Sequence, residues 1–315
     1  MDNTNLLSDL FPVVQNASYQ MLGFQLNTSK NFDEILPFSS QDQHIPHSRN
    51  ISVSFEAISE SDDLVQTQWG TVHAKNGDNN NMNLDCGAQS PHIYTKVLGI
   101  GLGMLMLQRG ELAISGTSLV YNVASDFPKG LVLCGEMGVG KTTLSAYFRH
   151  FGYPWMGDNI AALHLENLTA ESRSNALYYQ YPEYPQQELT TEAYSFLAPV
   201  LKDLPVPTER IGNKLILSFW KGFWTEPVAL RTIVILKVAD VSEVTIIELT
   251  GLEKSSVIVE QLVYKKLLDA SQYCSGILSQ IETLAKQVRV YIVTRPTEGN
   301  HLDEVRQIIE CNLVE

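Results

Sequence analysis

Leu131, Val132, Leu133 and Cys134 form an unbroken apolar run that stops at Gly135, and residues 143–150 can continue as a helix. Such a run, bounded by turn residues and followed by helical spacing, predicts buried strand, loop and helix in that order. Gly152 is placed to cap the helix, residues 153–157 read as a short strand with Asp158 at its end, and 160–165 continue extended. Upstream, 92–108 read as a core helix, 111–123 as a strand pair or one bent strand, and 126–130 as a turn. Downstream, 214–219, 231–238, 243–249 and 288–294 read as strands, while 257–267, 275–286 and 301–309 read as helices. Between these regular parts, 166–210 are polar and aromatic with five prolines, the composition of a functional flap or a tolerated surface loop.

Residues 1–90 differ. The stretch 8–23 is weakly amphipathic, 32–49 are polar with two prolines, and 51–58 and 64–75 read as strands. Asn76-Gly77-Asp78 and the run 79–83 have turn and loop chemistry. The expectation is a small β-rich accessory domain over 1–90, a boundary near Ser90-Pro91, and an α/β domain over 91–315.

Composition removes several classes of function. The 315 residues include 44% hydrophobic ones, enough for a sizeable core, and 22 Lys and Arg stand against 35 Asp and Glu. A formal charge of −13 repels a phosphate backbone, so no nucleic-acid partner is expected. Cys86, Cys134, Cys274 and Cys311 lack metal spacing, and the N-terminus lacks the basic flank and apolar core of a signal peptide. These features predict reduced thiols and a cytoplasmic address. The apolar stretch 97–107 is far shorter than the roughly twenty residues a bilayer requires, so no membrane span is expected. Its Gly99, Gly101 and Gly103 do not match a dinucleotide fingerprint and read instead as sites of close helix packing. His44, His47 and His73 are irregularly spaced and read as solvated surface histidines.

The chemistry concentrates in LVLCGEMGVGKTT. Gly135, Gly140, Lys141 and Thr142 occupy the fixed places of G-x-x-x-x-G-K-[ST] between the expected strand and helix. A loop that wraps phosphate oxygens aims backbone N–H groups inward, which favours glycines. Gly135, Glu136, Met137, Gly138, Val139, Gly140, Lys141, Thr142 and Thr143 are therefore the candidate nucleotide-binding residues, with Lys141 reaching the β and γ phosphates and Thr142 offering a hydroxyl to Mg²⁺. A nearby carboxylate usually completes the metal site, and residue order leaves two, Asp158 and Asp240. Cys134 reads as a buried small apolar residue.

The stretches LQRGELAISGTSLVYN, LCGEMGVGKTTLSAYFRHFGYPWMGDNIAAL and VYIVTRPTEGNHLDEV resemble the HPr kinase-like branch of the phosphoenolpyruvate carboxykinase-type P-loop fold over roughly residues 92–310. The resemblance is closer to the shorter relatives that look like lasso-peptide-associated peptide serine kinases than to full HPr kinase/phosphorylase. It selects Asp158 as the catalytic and metal-binding carboxylate, with Lys141 as its catalytic partner. It implies ATP- and Mg²⁺-dependent transfer of a γ-phosphoryl group to a Ser/Thr hydroxyl of a peptide or small protein, and a homo-oligomer is a further expectation from such relatives. Three departures stand out: Asn159 where relatives have a second Asp, Ser115 where they commonly have His, and Met137 in place of a loop serine. Asn159 and Ser115 motivate the alternative of a nucleotide-binding regulator without transfer, and a small-metabolite kinase is the other alternative. Lys214, Arg231 and Arg295 are candidate cations for the transferring group, and the aromatic stretch 178–189 is a candidate acceptor groove or plain loop packing.

Overall fold

Alternating buried and outward residues build the first sheet. In β3 (Asn50–Ser54) Ile51 and Val53 are buried while Ser52 and Ser54 face out, the period of a half-buried strand. The computed structural model describes residues 13–30, 50–54, 64–67, 70–74, 81–85, 91–167, 176–263 and 274–313. The weakly amphipathic opening becomes β1 (Val13–Met21), which turns through Leu22 and Gly23 into β2 (Phe24–Lys30). With β4 (Leu64–Thr67), β5 (Gly70–Ala74) and β6 (Asn81–Asp85) the order is β1-β2-β3-β6-β5-β4. Of the 79–83 run, expected as loop, residues 81–83 instead enter β6, where Met82 and Leu84 are buried on alternate positions; 79 and 80 lie outside the described residues. The expected loop over 32–49, with His44 and His47, lies outside the described residues, while His73 lies in β5.

The chain divides into Met1–Glu111 and Leu112–Glu315, not at residue 90. The helix α1 (Pro91–Gln108) goes with the first unit because its apolar surface packs on β5 and β6. At Gly101 an added Cβ would stand 2.6 Å from Met82 Sδ and 3.1 Å from Val72 Cγ1, so a glycine is what lets the helix approach the sheet. No helix among the described residues is long and apolar enough to cross a membrane.

The second unit is mixed α/β. Its large sheet contains β7 (Leu112–Ser115), β8 (Thr117–Tyr121), β9 (Lys129–Gly135), β10 (Trp155–Gly157), β11 (Ile160–Glu166), β12 (Leu177–Tyr181), β16 (Val228–Ala239), β17 (Thr245–Glu248) and β18 (Arg289–Pro296). The order is β10-β8-β9-β16-β12-β11-β7, with β18 also on β16 and β17 on β18. The strands β9, β16 and β18 run parallel, with Leu236 opposite Gly135 and Arg295 opposite Val238. Leu131, Leu133, Val234, Leu236, Tyr291 and Val293 present one face to α2 (Lys141–His150) and α6 (Leu302–Leu313), where they cluster with Leu144, Phe148, Val305 and Ile309. Burying such side chains stabilises by roughly 1.5–3 kcal/mol each before entropy is counted. This packing makes β9 and α2 a rigid base for the loop between them.

The described part of the region expected to be irregular contains regular elements. It supplies β12, β13 (Gln186–Thr190), α3 (Thr191–Leu197) and β14 (Glu209–Ile211), and β13 and β14 pair with β15 (Lys214–Ser218) in a three-stranded sheet. Helix α4 (Gly251–Gln261) begins earlier than expected, after Thr250, and α5 (Cys274–Gln287) matches its expected span closely.

Candidate functional site

The loop after β9 is shaped by two glycines. Gly135 has φ 130°, and an added Cβ would meet the Leu236 carbonyl oxygen at 2.5 Å, so the parallel neighbour β16 forbids a side chain there. Gly140 has φ 104° and stands at the N-cap of α2, which has no side-chain cap and no acid in its first turn. The helix therefore offers its first N–H groups and positive dipole end to the loop without a side-chain cap or a first-turn acid to satisfy them. Around Gly138 and Gly140 the place of a Cβ is open space. Lys141 donates from Nζ to the carbonyl oxygens of Gly135 at 2.8 Å and Glu136 at 2.9 Å, which folds the ammonium over the loop. Burial lowers its pKa, opposed by the charges of Cys134 and Asp158. Met137 is 97% exposed at the loop tip, Val139 is buried beneath it, and Thr142 and Thr143 enter the first turn of α2.

Two distant elements brace this loop. The Gly135 N–H donates to Gln261 Oε1 at 3.1 Å from the end of α4. Arg295, at the end of β18, donates to the Val139 carbonyl at 3.5 Å and to Pro296 at 3.1 Å. Gly135→Ala is expected to destabilise the protein by about 1–3 kcal/mol through forced backbone strain, with the Leu236 clash added. Gly138→Ala meets strain only, so its urea midpoint should fall less; equal losses would refute the close approach to β16.

The carboxylate of Asp158 is buried and held on both oxygens. Thr117 donates to Oδ1 at 3.1 Å; Thr142 donates to Oδ2 at 3.0 Å, and the Glu188 N–H reaches the same oxygen at 3.2 Å. Burial raises its pKa to about 7, the Glu188 charge adding and the three hydrogen bonds opposing. The backbone that presents it is anchored by Glu183, whose Oε2 accepts the N–H groups of Asp158 at 2.9 Å, Asn159 at 3.0 Å and Ile160 at 3.4 Å. Glu183 is itself buried, which raises its pKa against those three amide donors. At Gly157 a Cβ would stand 2.6 Å from Glu183 Cβ, so the strand can deliver Asp158 only over a glycine. Glu183, Thr117 and Glu188 were not singled out in the sequence, because their contacts with residues 158–160 or with the loop carry no local pattern.

The remaining candidates separate. Asp240 is exposed beyond the Leu236 position that lies opposite Gly135, while Asp158 meets the loop threonine. Ser115 is exposed at the end of β7, opposite Ile160, and the Asn159 side chain donates to the Tyr184 hydroxyl at 3.3 Å. Lys214 pairs with Glu188 at 2.5 Å. Arg231 sits at the irregularity between Leu230 and Thr232, beside the start of β9 and away from the loop, so of the three cations Arg295 is the one bonded to the loop. Tyr178, Tyr179 and Tyr184 are buried, so the aromatic stretch packs as core instead of forming a groove. Burial pushes the Cys134 thiol up to about 12, as for an apolar core residue.

A hydroxyl and a carboxylate joined at 3.0 Å form an oxygen donor pair of the kind Mg²⁺ takes, and the open glycine positions beside an uncapped helix start suit phosphate oxygens. The pKa of Asp158 has a consequence for stability. Folding raises it from 3.8 to about 7, so the folded chain retains a proton that the unfolded chain releases across that interval. Stability contributed at this site is therefore present at low pH and lost as pH rises from about 4 to 7. In urea denaturation the midpoint of Asp158→Asn should gain on that of the wild type across this window and hold the gain above it. A difference that stays constant with pH would exclude the buried, proton-retaining carboxyl.

The chain matches no protein-family model, and no curated protein matches it in sequence.

Proposed function

We propose that the protein is an ATP- and Mg²⁺-dependent kinase of the phosphoenolpyruvate carboxykinase-type P-loop fold, related to the HPr kinase-like peptide kinases, acting on a Ser/Thr hydroxyl of a peptide or small protein. The observation that carries this reading is the 3.0 Å contact between Thr142 of the loop and Asp158 at the end of the next strand. Lys141, released from its two carbonyl partners, would hold the β and γ phosphates alongside the loop amides from Glu136 to Thr142. Thr142 and Asp158 would hold Mg²⁺, which when bound neutralises charge on the phosphate oxygens. Asp158 would take the proton of the acceptor hydroxyl; the hydroxyl oxygen would bond to the γ phosphorus as the bond from that phosphorus to the β–γ bridging oxygen breaks, its electron pair leaving on the nucleoside diphosphate. Arg295, bonded to the loop from the end of β18, would be the cation to steady that charge.

A second reading is a nucleotide-binding regulator that does not transfer phosphate. Asn159 and Ser115 favour it, since each stands where the resembling kinases carry an ionisable side chain. Incubation of the protein with γ-labelled ATP, Mg²⁺ and a panel of seryl and threonyl peptides and hydroxylated metabolites decides between them. Label on a peptide supports the kinase, label only on a metabolite redirects it to small molecules, and tight nucleotide binding without any labelled acceptor supports the regulator.

A further inference from the structure

One strongly basic group beside this site makes no side-chain hydrogen bond to any described residue. Arg149, in the last turn of α2, lays its guanidinium over the Phe219 ring at 4.1 Å and near the Trp155 ring at 5.8 Å. Gly222 closes over its stem, with the place of a Cβ 4.0 Å from Arg149 Cγ. Its Nε is sealed from solvent and bonded to nothing, and no hydrogen bond runs from the guanidinium to any described residue. The acids near enough to act on its charge are Asp203 and Asp158, and both are engaged elsewhere. Asp203 meets His150 Nδ1 at 3.0 Å, and Asp158 is occupied by Thr117, Thr142 and the Glu188 amide. Burial draws the pKa of Arg149 down to about 10, against partial compensation from the Asp203 and Asp158 charges.

A largely desolvated cation without hydrogen bonds is unfavourable unless an anion joins it. With one face of the guanidinium taken by Phe219 and Nε sealed, its two terminal NH₂ groups remain, and that edge matches a planar oxyanion. The nucleotide's phosphates do not meet this need. They belong at the start of α2, and Arg149 lies roughly 10 Å farther along the helix axis from Thr142. We infer that Arg149 is an oxyanion subsite for the acceptor, which is an acidic peptide carrying a carboxylate next to the hydroxyl residue that it brings to Asp158. The identity of the ligand as an acceptor rests on the kinase reading; the binding of a carboxylate at Arg149 does not.

The test uses the full chain with its loop filled by Mg²⁺ and a non-hydrolysable ATP analogue. Two seryl peptides, identical except for Glu or Gln beside the serine, are titrated calorimetrically into wild type, Arg149→Lys and Arg149→Met, with circular dichroism confirming that each folds. The Glu peptide should bind wild type about tenfold more tightly, as for one charge-assisted pair, and the preference should shrink in Arg149→Lys and vanish in Arg149→Met. Should Arg149→Met fail to fold, the shrinkage in Arg149→Lys carries the test. Equal binding of both peptides to wild type, or a preference undiminished in the variants, overturns the inference. Inorganic phosphate or acetate bound at Arg149 without any peptide preference, an adventitious anion only, also overturns it. Discriminating binding with no phosphoryl transfer from ATP keeps the subsite and removes the kinase reading instead.

Discussion

Asp158→Asn is expected to lower the turnover of phosphoryl transfer by about 10²–10⁴-fold, the range that a positioned general base contributes, while nucleotide affinity falls far less. The substitution preserves size. An amide can still accept from Thr142 or Thr117 on its one oxygen, but its NH₂ cannot accept, so the three donors around Asp158 no longer find two acceptor oxygens. It also cannot take up the acceptor's proton or offer a charged ligand to the metal. Steady-state rates with labelled ATP, paired with a fluorescent-nucleotide titration, separate the two effects. Turnover within about threefold of wild type would remove Asp158 from the chemistry and with it the proposed mechanism. The same variant is the one whose urea midpoint is expected to gain on the wild type as pH rises to about 7. Loss of activity with a gain of stability would mark a group held in an unfavourable protonation environment for function.

The second large effect is expected from Lys141→Ala. Among the described residues its ammonium donates to the carbonyl oxygens of Gly135 and Glu136, and an arriving triphosphate would offer it stronger, charged acceptors. Removing it should reduce transfer by about 10²–10³-fold, comparable to losing one preorganised charge-stabilising group. Affinity for the triphosphate should fall more than affinity for the nucleoside, since only the former places phosphates under the ammonium. Titration of ATP, ADP and adenosine into wild type and variant reads this directly. An equal loss for all three ligands would mean that Lys141 only closes the loop on itself.

Where the chain's chemistry is local, the reading of residues and the architecture coincide. The run Leu131–Cys134, the loop glycines and the helix after them depend on neighbours within a few positions, and β9 and α2 occupy that place. Gly152, after the helix, has φ 89° and donates to the Arg149 carbonyl at 3.0 Å, the cap its position suggested. The short strand that carries Asp158 was legible for the same reason. The tyrosines of 178–184 were not, since alternation over a few residues among prolines does not distinguish a groove from a buried strand, and only pairing with β11 and β16 decides it. The boundary moved from residue 90 to Glu111 because an apolar helix declares that it needs a partner without saying which sheet supplies one.

From the order of residues alone came an α/β chain with a strand, a glycine-rich bend and a helix able to cradle anions, and an aspartate one strand later. Those features rest on short-range backbone geometry, which neighbouring side chains dictate. The tertiary structure alone decided that Asp158, the carboxylate the resemblance selects, meets both Thr142 and Thr117, that Glu183 gathers the three amides beneath it, and that Arg149 lies over Phe219 with its Nε unpartnered. Each of those depends on contacts between residues far apart in the chain, where burial and pairing of charge, absent from any local pattern, determine what a side chain can do.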